Sequence, residues 1–192
     1  MKSKKLSILF LFILMISVTT TSSAQPKAEP DNDIKATFLL SNTTWVGNFQ
    51  NYVNKNTGIM QRGSIKVELK TSNDTVMMRN IFLNQKGEPS NYSGYSYMII
   101  RGDTIISTDE SGIDKNTGNE ITDYNYFGRI LDNHIYIHES YKEILCNGEI
   151  EQRSSSVHYY LLSQNEIIQL AEVWVNNDLL VFAGTRLKRQ DY

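Results

Sequence analysis

The stretch LLSNTTWVGNFQNY (residues 39–52) gives the first sign of the fold, because Trp45, Gly47 and Phe49 follow one another at strictly alternating positions. Alternation of this kind places all three side chains on one face of a β-strand. Gly47 indicates a sharp bend, since a residue without a Cβ suits the corner of a barrel. The stretch therefore predicts the opening strand of a curved β-structure.

The chain from Thr43 onward repeats short runs of β-branched and aromatic residues, separated by Gly, Asn or Asp clusters, which is typical of an all-β domain. The clearest run is GSIKVELK (63–70), which alternates perfectly and so has one core face and one water face. Asn147-Gly148 predicts a type I′ turn. Strands are predicted at 43–53, 59–70, 75–84, 94–101, 104–110, 120–131, 134–145, 149–162, 167–175 and 179–189.

Strands in this number, joined by short hairpins, favour a closed up-and-down antiparallel β-barrel of about ten strands, because closure removes the exposed edges. In such a barrel the first strand neighbours the last strand, which ends in AGTRLKR (183–189). We expect Trp45 and Gly47 to meet Arg186 and Lys188 there, with the indole stacked on a cation across the closure seam.

The residues at the two ends of this barrel resemble the calycin superfamily, which includes the lipocalin and fatty-acid-binding-protein barrels. In those barrels an early Gly/Trp strand packs against an Arg or Lys of the final strand. TTWVGNFQNYVNKNTG (43–58) is also similar to the start of bacterial lipocalin-like domains of unassigned function. The order Trp-x-Gly departs from the lipocalin Gly-x-Trp. The resemblance implies a cavity that binds a small apolar or amphipathic ligand, and Arg186 matches the Arg on the last strand of fatty-acid-binding barrels.

The first 24 residues have the three parts of a secretory signal peptide: Lys2, Lys4 and Lys5, an apolar core (6–18) and the small residues 22–24. We expect a secreted or periplasmic protein that begins near Gln25, with an uncleaved anchor as the alternative. Residues 25–36 predict a flexible leader and 37–192 the barrel domain. A short helical turn is expected in DIKATFLL (33–40), capped by Asp31, Asn32 or Asp33, with Ile34, Phe38 and Leu39 on one side.

Charge and composition exclude several partners. The net charge of −2 comes with no basic stripe, which argues against nucleic acid. No second apolar run approaches membrane length, so no stable membrane span is expected in the mature chain. One cysteine, Cys146, excludes an intramolecular disulfide, so the core must hold the exported chain together.

Ligand-binding residues are predicted from strand faces. Arg79, Arg129 and Arg186 share faces with apolar residues, and inward-pointing guanidinium groups could hold the acidic end of a ligand. Arg101, at a strand end, is the weakest such candidate. Tyrosines, including Tyr97 and Tyr126, would supply amphipathic cavity walls.

Two other functions stay open. In the first, the barrel is a small-molecule isomerase, cyclase or lyase that uses His138, Tyr136 or Glu139 as acid or base. In the second, a filled barrel serves assembly, with a homodimer through the C-terminal hairpin. That hairpin, IIQLAEVWVNNDLLVFAG (167–184), is apolar on both faces, so either the segment around Phe38 or a second subunit is expected to cover one of them.

No metal and no cofactor are predicted. His134 and His138 share a strand face, but about 13 Å separates them along the strand, so one ion would need His158 or a carboxylate from another strand. The haem-binding relatives of the calycin barrels use a histidine near the C-terminus, and none follows His158.

Overall fold

The structure is a computed structural model that describes residues 33–53, 59–83, 86–89, 94–108, 111–114 and 117–190. The predicted signal peptide and most of the predicted leader lie outside the described residues. Within the described residues, no helix is long and apolar enough to cross a membrane.

The chain is all-β, as predicted. Its strands are β1 (Thr44–Val53), β2 (Ile59–Ser72), β3 (Thr75–Leu83), β4 (Gly94–Arg101), β5 (Thr104–Ser107), β6 (Gly112–Ile113), β7 (Glu120–Leu131), β8 (His134–Ile144), β9 (Ile150–Ser163), β10 (Glu166–Val175) and β11 (Asp178–Gln190). Ten of them close into an antiparallel barrel in the order β5-β4-β3-β2-β1-β11-β10-β9-β8-β7, with β5 pairing β7. The two-residue β6 pairs with the start of β7 on the same edge as β5, because β8 occupies the opposite edge of β7.

The inward face of each strand can be assigned from β2, because apolar and polar residues alternate along residues 63–70. Ile65, Val67 and Leu69 are buried, so this face is the interior. Trp45 is paired directly with Val67 and is fully buried on the same side. Register then carries the inward face around the barrel to a core that includes Val76, Met78, Met98, Ile100, Ile105, Ile130, Ile135, Tyr159, Leu161, Ile167 and Leu187.

One end of the barrel, which we call the plugged end, is closed by residues 34–39, which we call the plug. Here Lys35–Leu39 form a single turn of π-helix, and the Asp33 carboxylate accepts a hydrogen bond from the Lys35 backbone N–H at 2.9 Å. Ile34, Phe38 and Leu39 are fully buried. The predicted helical turn and its buried side are therefore confirmed.

Residues 34–39 do not cover the outer face of the C-terminal hairpin. Phe38 packs inside the barrel, with its ring centroid 5.5 Å from that of Trp45 and 4.9 Å from that of Tyr159. The expectation that the segment around Phe38 covers the outside of β10–β11 is therefore wrong, because this segment fills the plugged end instead.

At the seam, β1 and β11 are hydrogen-bonded neighbours, as predicted. The expected stacking of Trp45 on Arg186 or Lys188 is wrong. Trp45 points into the core and donates its indole N–H to Thr43 Oγ1 at 2.8 Å, whereas Arg186 and Lys188 alternate with the buried Leu187 and face outward.

The turns differ in one respect from the prediction. Gly148 has φ +83° but Asn147 does not have positive φ, and Gly148 N–H bonds to Leu145 O at 2.8 Å, so this turn is not type I′. Among the described residues, a two-residue turn with positive φ at both positions occurs at Asn176-Asn177, at 50° and 65°. We call the end that carries the turns 145–149 and 176–177 the far end.

Candidate ligand-binding site

The arginines predicted to bind a ligand lie on the outer face. Arg186 Nη2 is 2.5 Å from Glu166 Oε2, and Arg79 lies 5.1 Å from the centroid of the Tyr95 ring. Arg129 lies over the ring of Phe127 at 5.4 Å, and Arg101 is exposed at its strand end. The prediction that these side chains enter the cavity is wrong, because each occupies the position next to inward residues in its strand.

The remaining predicted site residues divide between the two faces. Tyr97 is exposed on the outside, whereas Tyr126 faces inward and packs against the core. Tyr136 and His138 lie on the outer face of β8, and Glu139 lies on its inner face. The three residues suggested for acid-base chemistry therefore do not form one site.

A polar cluster that the sequence did not predict lines the interior on β7, β8 and β9. At its centre, Glu139 Oε1 accepts a hydrogen bond from Ser155 Oγ at 2.9 Å. Glu139 Oε2 accepts one from Tyr124 Oη at 3.4 Å. All three side chains are half-buried, so the carboxylate is held in place by neighbours on both adjacent strands yet is within reach of solvent.

Closer to the far end, Arg153 lies between two carboxylates. Its Nε is 2.5 Å from Glu143 Oε2, and its Nη2 is 2.6 Å from Glu151 Oε2. Burial acts to lower the pKa of Arg153, but the hydrogen bond to Glu151 and the charge of Glu143 outweigh it and raise this pKa above its ordinary value. Asn119 donates a further hydrogen bond to Glu143 Oε1 at 2.6 Å.

Tyr141 lies on the same inner face of β8, between Glu139 and Glu143 in sequence. Burial, reinforced by the negative charge of Glu139, raises the pKa of its phenol. The hydroxyl therefore stays protonated and can donate a hydrogen bond.

Solvent reaches the interior beside this cluster. Ile137 and Val157 face inward in the middle of their strands, yet they are half-buried rather than buried. The inward positions of β10 and β11 in the same half carry small side chains, Ala171 and Ala183, that are also half-buried. Because the plugged end is filled, access to this space comes from the far half of the barrel.

Deeper in the interior, polar groups lie between the cluster and the plug. Gln169 Nε2 donates to Tyr159 Oη at 3.2 Å, and burial raises the pKa of Tyr159. Asn80 also faces inward, and its buried Oδ1 has no hydrogen-bond partner among the described residues. A buried acceptor without a partner is costly, so a ligand or water that donates to Asn80 would be stabilised.

A sequence signal for this cluster exists on β9. In EQRSSSVHYY (151–160), alternation places Glu151, Arg153 and Ser155 on the face of the buried Tyr159. Charged residues on the face that turns apolar further along the same strand indicate a polar interior at one end of a barrel.

Comparison with known proteins supports the fold alone. No family model matches the chain, and no curated protein matches it. Among solved structures, Rv2717c from M. tuberculosis is similar over 82% of this chain and 97% of that one, with a TM-score of 0.53 and 14% identity. A protein of unknown function from the DUF3598 family of Nostoc punctiforme PCC 73102 matches 80% of this chain with a TM-score of 0.48 and 10% identity. This chain spans about half, 48%, of that protein's length.

Proposed function

We propose that the chain is an exported, calycin-like barrel that binds a small amphipathic ligand in the far half of its interior. The observation that carries the proposal is the carboxylate of Glu139, held by Ser155 and Tyr124 on an inner surface that solvent reaches. Binding sites for small molecules typically combine apolar walls with a few polar groups that fix the orientation of the ligand. The ligand's apolar part would contact Ile137, Val157 and their neighbours, and its polar group would meet Glu139.

The charge of the cluster favours a hydrogen-bond donor or a cation as the polar group. Glu139, Glu143 and Glu151 are acidic, and Arg153 is already paired with two of them. An anionic ligand would therefore meet an excess of negative charge and a guanidinium that has partners. We accordingly replace the acidic ligand end expected at Arg186 with an amine or hydroxyl at Glu139.

A matched pair of ligands tests this proposal. The chain is titrated with a long-chain alkylamine and with the fatty acid of equal length, and binding is followed by calorimetry. The amine should bind more tightly, and Glu139→Gln should remove most of the difference. Glu172→Gln, on the outer side of β10, is the control and should bind as the wild type does.

Equal binding of the two ligands, or equal effects of the two substitutions, would remove the proposal that Glu139 meets the polar group. Native mass spectrometry of gently purified protein adds an independent observation, because a co-purifying mass would identify the ligand directly.

The enzymatic alternative has less support from the geometry. Of its three residues, only Glu139 faces the interior, so His138 and Tyr136 cannot share a substrate with it there. The filled-barrel alternative is disfavoured by the half-buried inward side chains of the far half. The filled-barrel alternative also gives no role to the carboxylate of Glu139 in the interior.

Export is proposed from the sequence of residues 1–24. Expression of the full chain in a Gram-negative host should yield a periplasmic product whose intact mass corresponds to a start at Gln25. A cytoplasmic product that retains Met1 would exclude cleavage. Replacing Lys2, Lys4 and Lys5 with Glu removes the positive start of the signal and is expected to reduce export.

A further inference from the structure

The outer face of β8 and β9 carries a pair of histidines from different strands. His134 Nε2 and His158 Nδ1 are 3.0 Å apart, and the two rings are parallel within 4°. Tyr160 stacks on His134 with ring centroids 4.3 Å apart, and its hydroxyl is 3.5 Å from His158 Nδ1. Two imidazole nitrogens and a phenol oxygen therefore converge on one point outside the barrel.

The register of the two strands explains the convergence. His134 is directly opposite Tyr160, and His158 is directly opposite Tyr136, so the histidines are diagonal neighbours on one face. Long or aromatic side chains reach each other across such a diagonal. The ring of Tyr136 lies 4.8 Å from that of His158 and restricts its orientation.

We propose that this pair binds a divalent transition-metal ion of the Zn²⁺ or Cu²⁺ class, through His134 Nε2 and His158 Nδ1. Zn–N bonds of about 2.0–2.1 Å at tetrahedral angles separate two ligand nitrogens by roughly 3.3 Å, and square-planar Cu²⁺ brings them to roughly 2.9 Å. The observed 3.0 Å lies within this range, so small side-chain rotations suffice.

The hydrogen bond between the two rings requires one imidazole to donate and the other to accept. Metal binding needs both facing nitrogens to act as acceptors. The donor ring meets this need by moving its hydrogen to its other nitrogen, so a neutral pair loses no proton. Water would complete the coordination.

The donor set also determines which ions the site would take. Imidazole nitrogens suit Zn²⁺, Cu²⁺ and Ni²⁺, whereas Mg²⁺ and Ca²⁺ prefer carboxylate and carbonyl oxygens. Within the described part of the chain, no group of three or more His, Cys, Asp or Glu side chains is placed to hold a metal. The site is therefore a two-histidine chelate, open to solvent.

His138 provides an internal control. It lies on the same outer face of β8, but about 13 Å from His134 along the strand, and its Nδ1 is 3.0 Å from Ser156 Oγ instead. Loss of His138 removes an imidazole from the same surface without touching the pair.

The experiment is a calorimetric titration of the untagged chain with Zn²⁺ and, separately, with Cu²⁺. All proteins carry Cys146→Ser, because the exposed thiol would itself bind these ions. The variants are His134→Gln, His158→Gln and the control His138→Gln, each checked for unchanged melting temperature. Mg²⁺ serves as an ion that should not bind.

We expect one ion per chain in the starting protein and in His138→Gln. Because even outer-shell partners of metal ligands are worth roughly 10–100-fold in affinity, His134→Gln and His158→Gln should each weaken binding by at least about tenfold. The proposal is overturned if His138→Gln weakens binding as much as His134→Gln and His158→Gln do. It is also overturned if binding persists in both His134→Gln and His158→Gln. The absence of binding at millimolar Zn²⁺ and Cu²⁺ would overturn it as well.

Discussion

At the seam of the barrel, Gly47 faces the interior opposite Leu187, where the backbones of β1 and β11 come close together. A Cβ built on Gly47 would overlap the carbonyl oxygen of Arg186 and would lie 2.8 Å from Thr185 Cγ2. The residue is therefore required by the close approach of the two strands rather than by a special backbone angle.

Gly47→Ala should accordingly destabilise the barrel by about 1–3 kcal/mol, because overpacking forces the strands apart. Urea unfolding followed by Trp fluorescence measures the change. Gly184→Ala on β11 is the matched control, since its Cβ would meet Leu170 Cδ2 at an ordinary 3.6 Å. Equal losses in the two variants would show that the close approach at Gly47 is not the cause.

Among the strands, the β2–β3 ladder carries a charge cluster on its outer face. Glu68 lies 2.7 Å from Lys66 Nζ and 3.4 Å from Arg79 Nη1. The hydrogen bond from Lys66 lowers the pKa of Glu68 most, and the charge of Arg79 adds to it, although burial acts in the opposite direction. The folded state therefore releases the Glu68 proton at a lower pH than the unfolded chain does.

This lowered pKa predicts the direction of a pH effect. The contribution of Glu68 to stability is fully present above the ordinary pKa of 4.5 and is lost as the pH falls through the lowered value. Glu68→Gln should cost a few tenths to about 1 kcal/mol at pH 7 and almost nothing at low pH. Urea unfolding between pH 7 and pH 3 tests this.

Glu172→Gln is the control for this experiment, because β10 pairs with neither β2 nor β3. A stability difference between wild type and Glu68→Gln that does not change with pH would contradict the ion-pair explanation.

The same strands show which part of the structure the sequence could predict. Strand positions were predicted to within a few residues, because Gly and Asn turns separate runs that alternate. Inward faces were harder, since β3 has apolar residues at both parities, such as Met77 and Met78. Alternation within β3 does not show which of the two methionines faces inward. Pairing with β2 does, because Met78 lies opposite the buried Leu69.

Arg186 illustrates the consequence for the candidate site. Resemblance and position placed it in the cavity, but register pairs it with Asn48, and the inward residues on either side of it are Thr185 and Leu187. The polar interior instead comes from β8 and β9, where Glu139 meets Ser155 and Glu143 meets Arg153 across the two strands. The pattern of β9 alone indicates a polar stretch on the inner face, but which side chains meet there depends on which strands are neighbours and in what register.

At the scale of the whole molecule, the barrel is closed unevenly. Among the described residues, β1 and β11 are joined along ten residue pairs, whereas β5 and β7 are joined along two, Thr104 with Arg129 and Ile105 with Gly128, and β6 adds two more on the same edge of β7. One further backbone hydrogen bond, from Ile130 N–H to Asp103 O, lies beside the β5–β7 pairs. All of these β5–β7 contacts lie in the half of the barrel near the plug, because the β4–β5 turn and the β7–β8 turn are at that end.

The short junction predicts where the barrel opens first. Among the described residues, local opening breaks fewer backbone hydrogen bonds at β5–β7 than at β1–β11, so amides at β5–β7 should exchange with solvent deuterium faster. Hydrogen exchange with mass spectrometry compares peptides that cover 104–107 and 128–130 with peptides that cover 44–50 and 184–190. Slower exchange at β5–β7 would mean that the plug and the core around Ile105 hold this junction more firmly than its ladder does. If β5–β7 is the faster junction, a ligand bound at Glu139 should slow its exchange, since β7 also carries Tyr124.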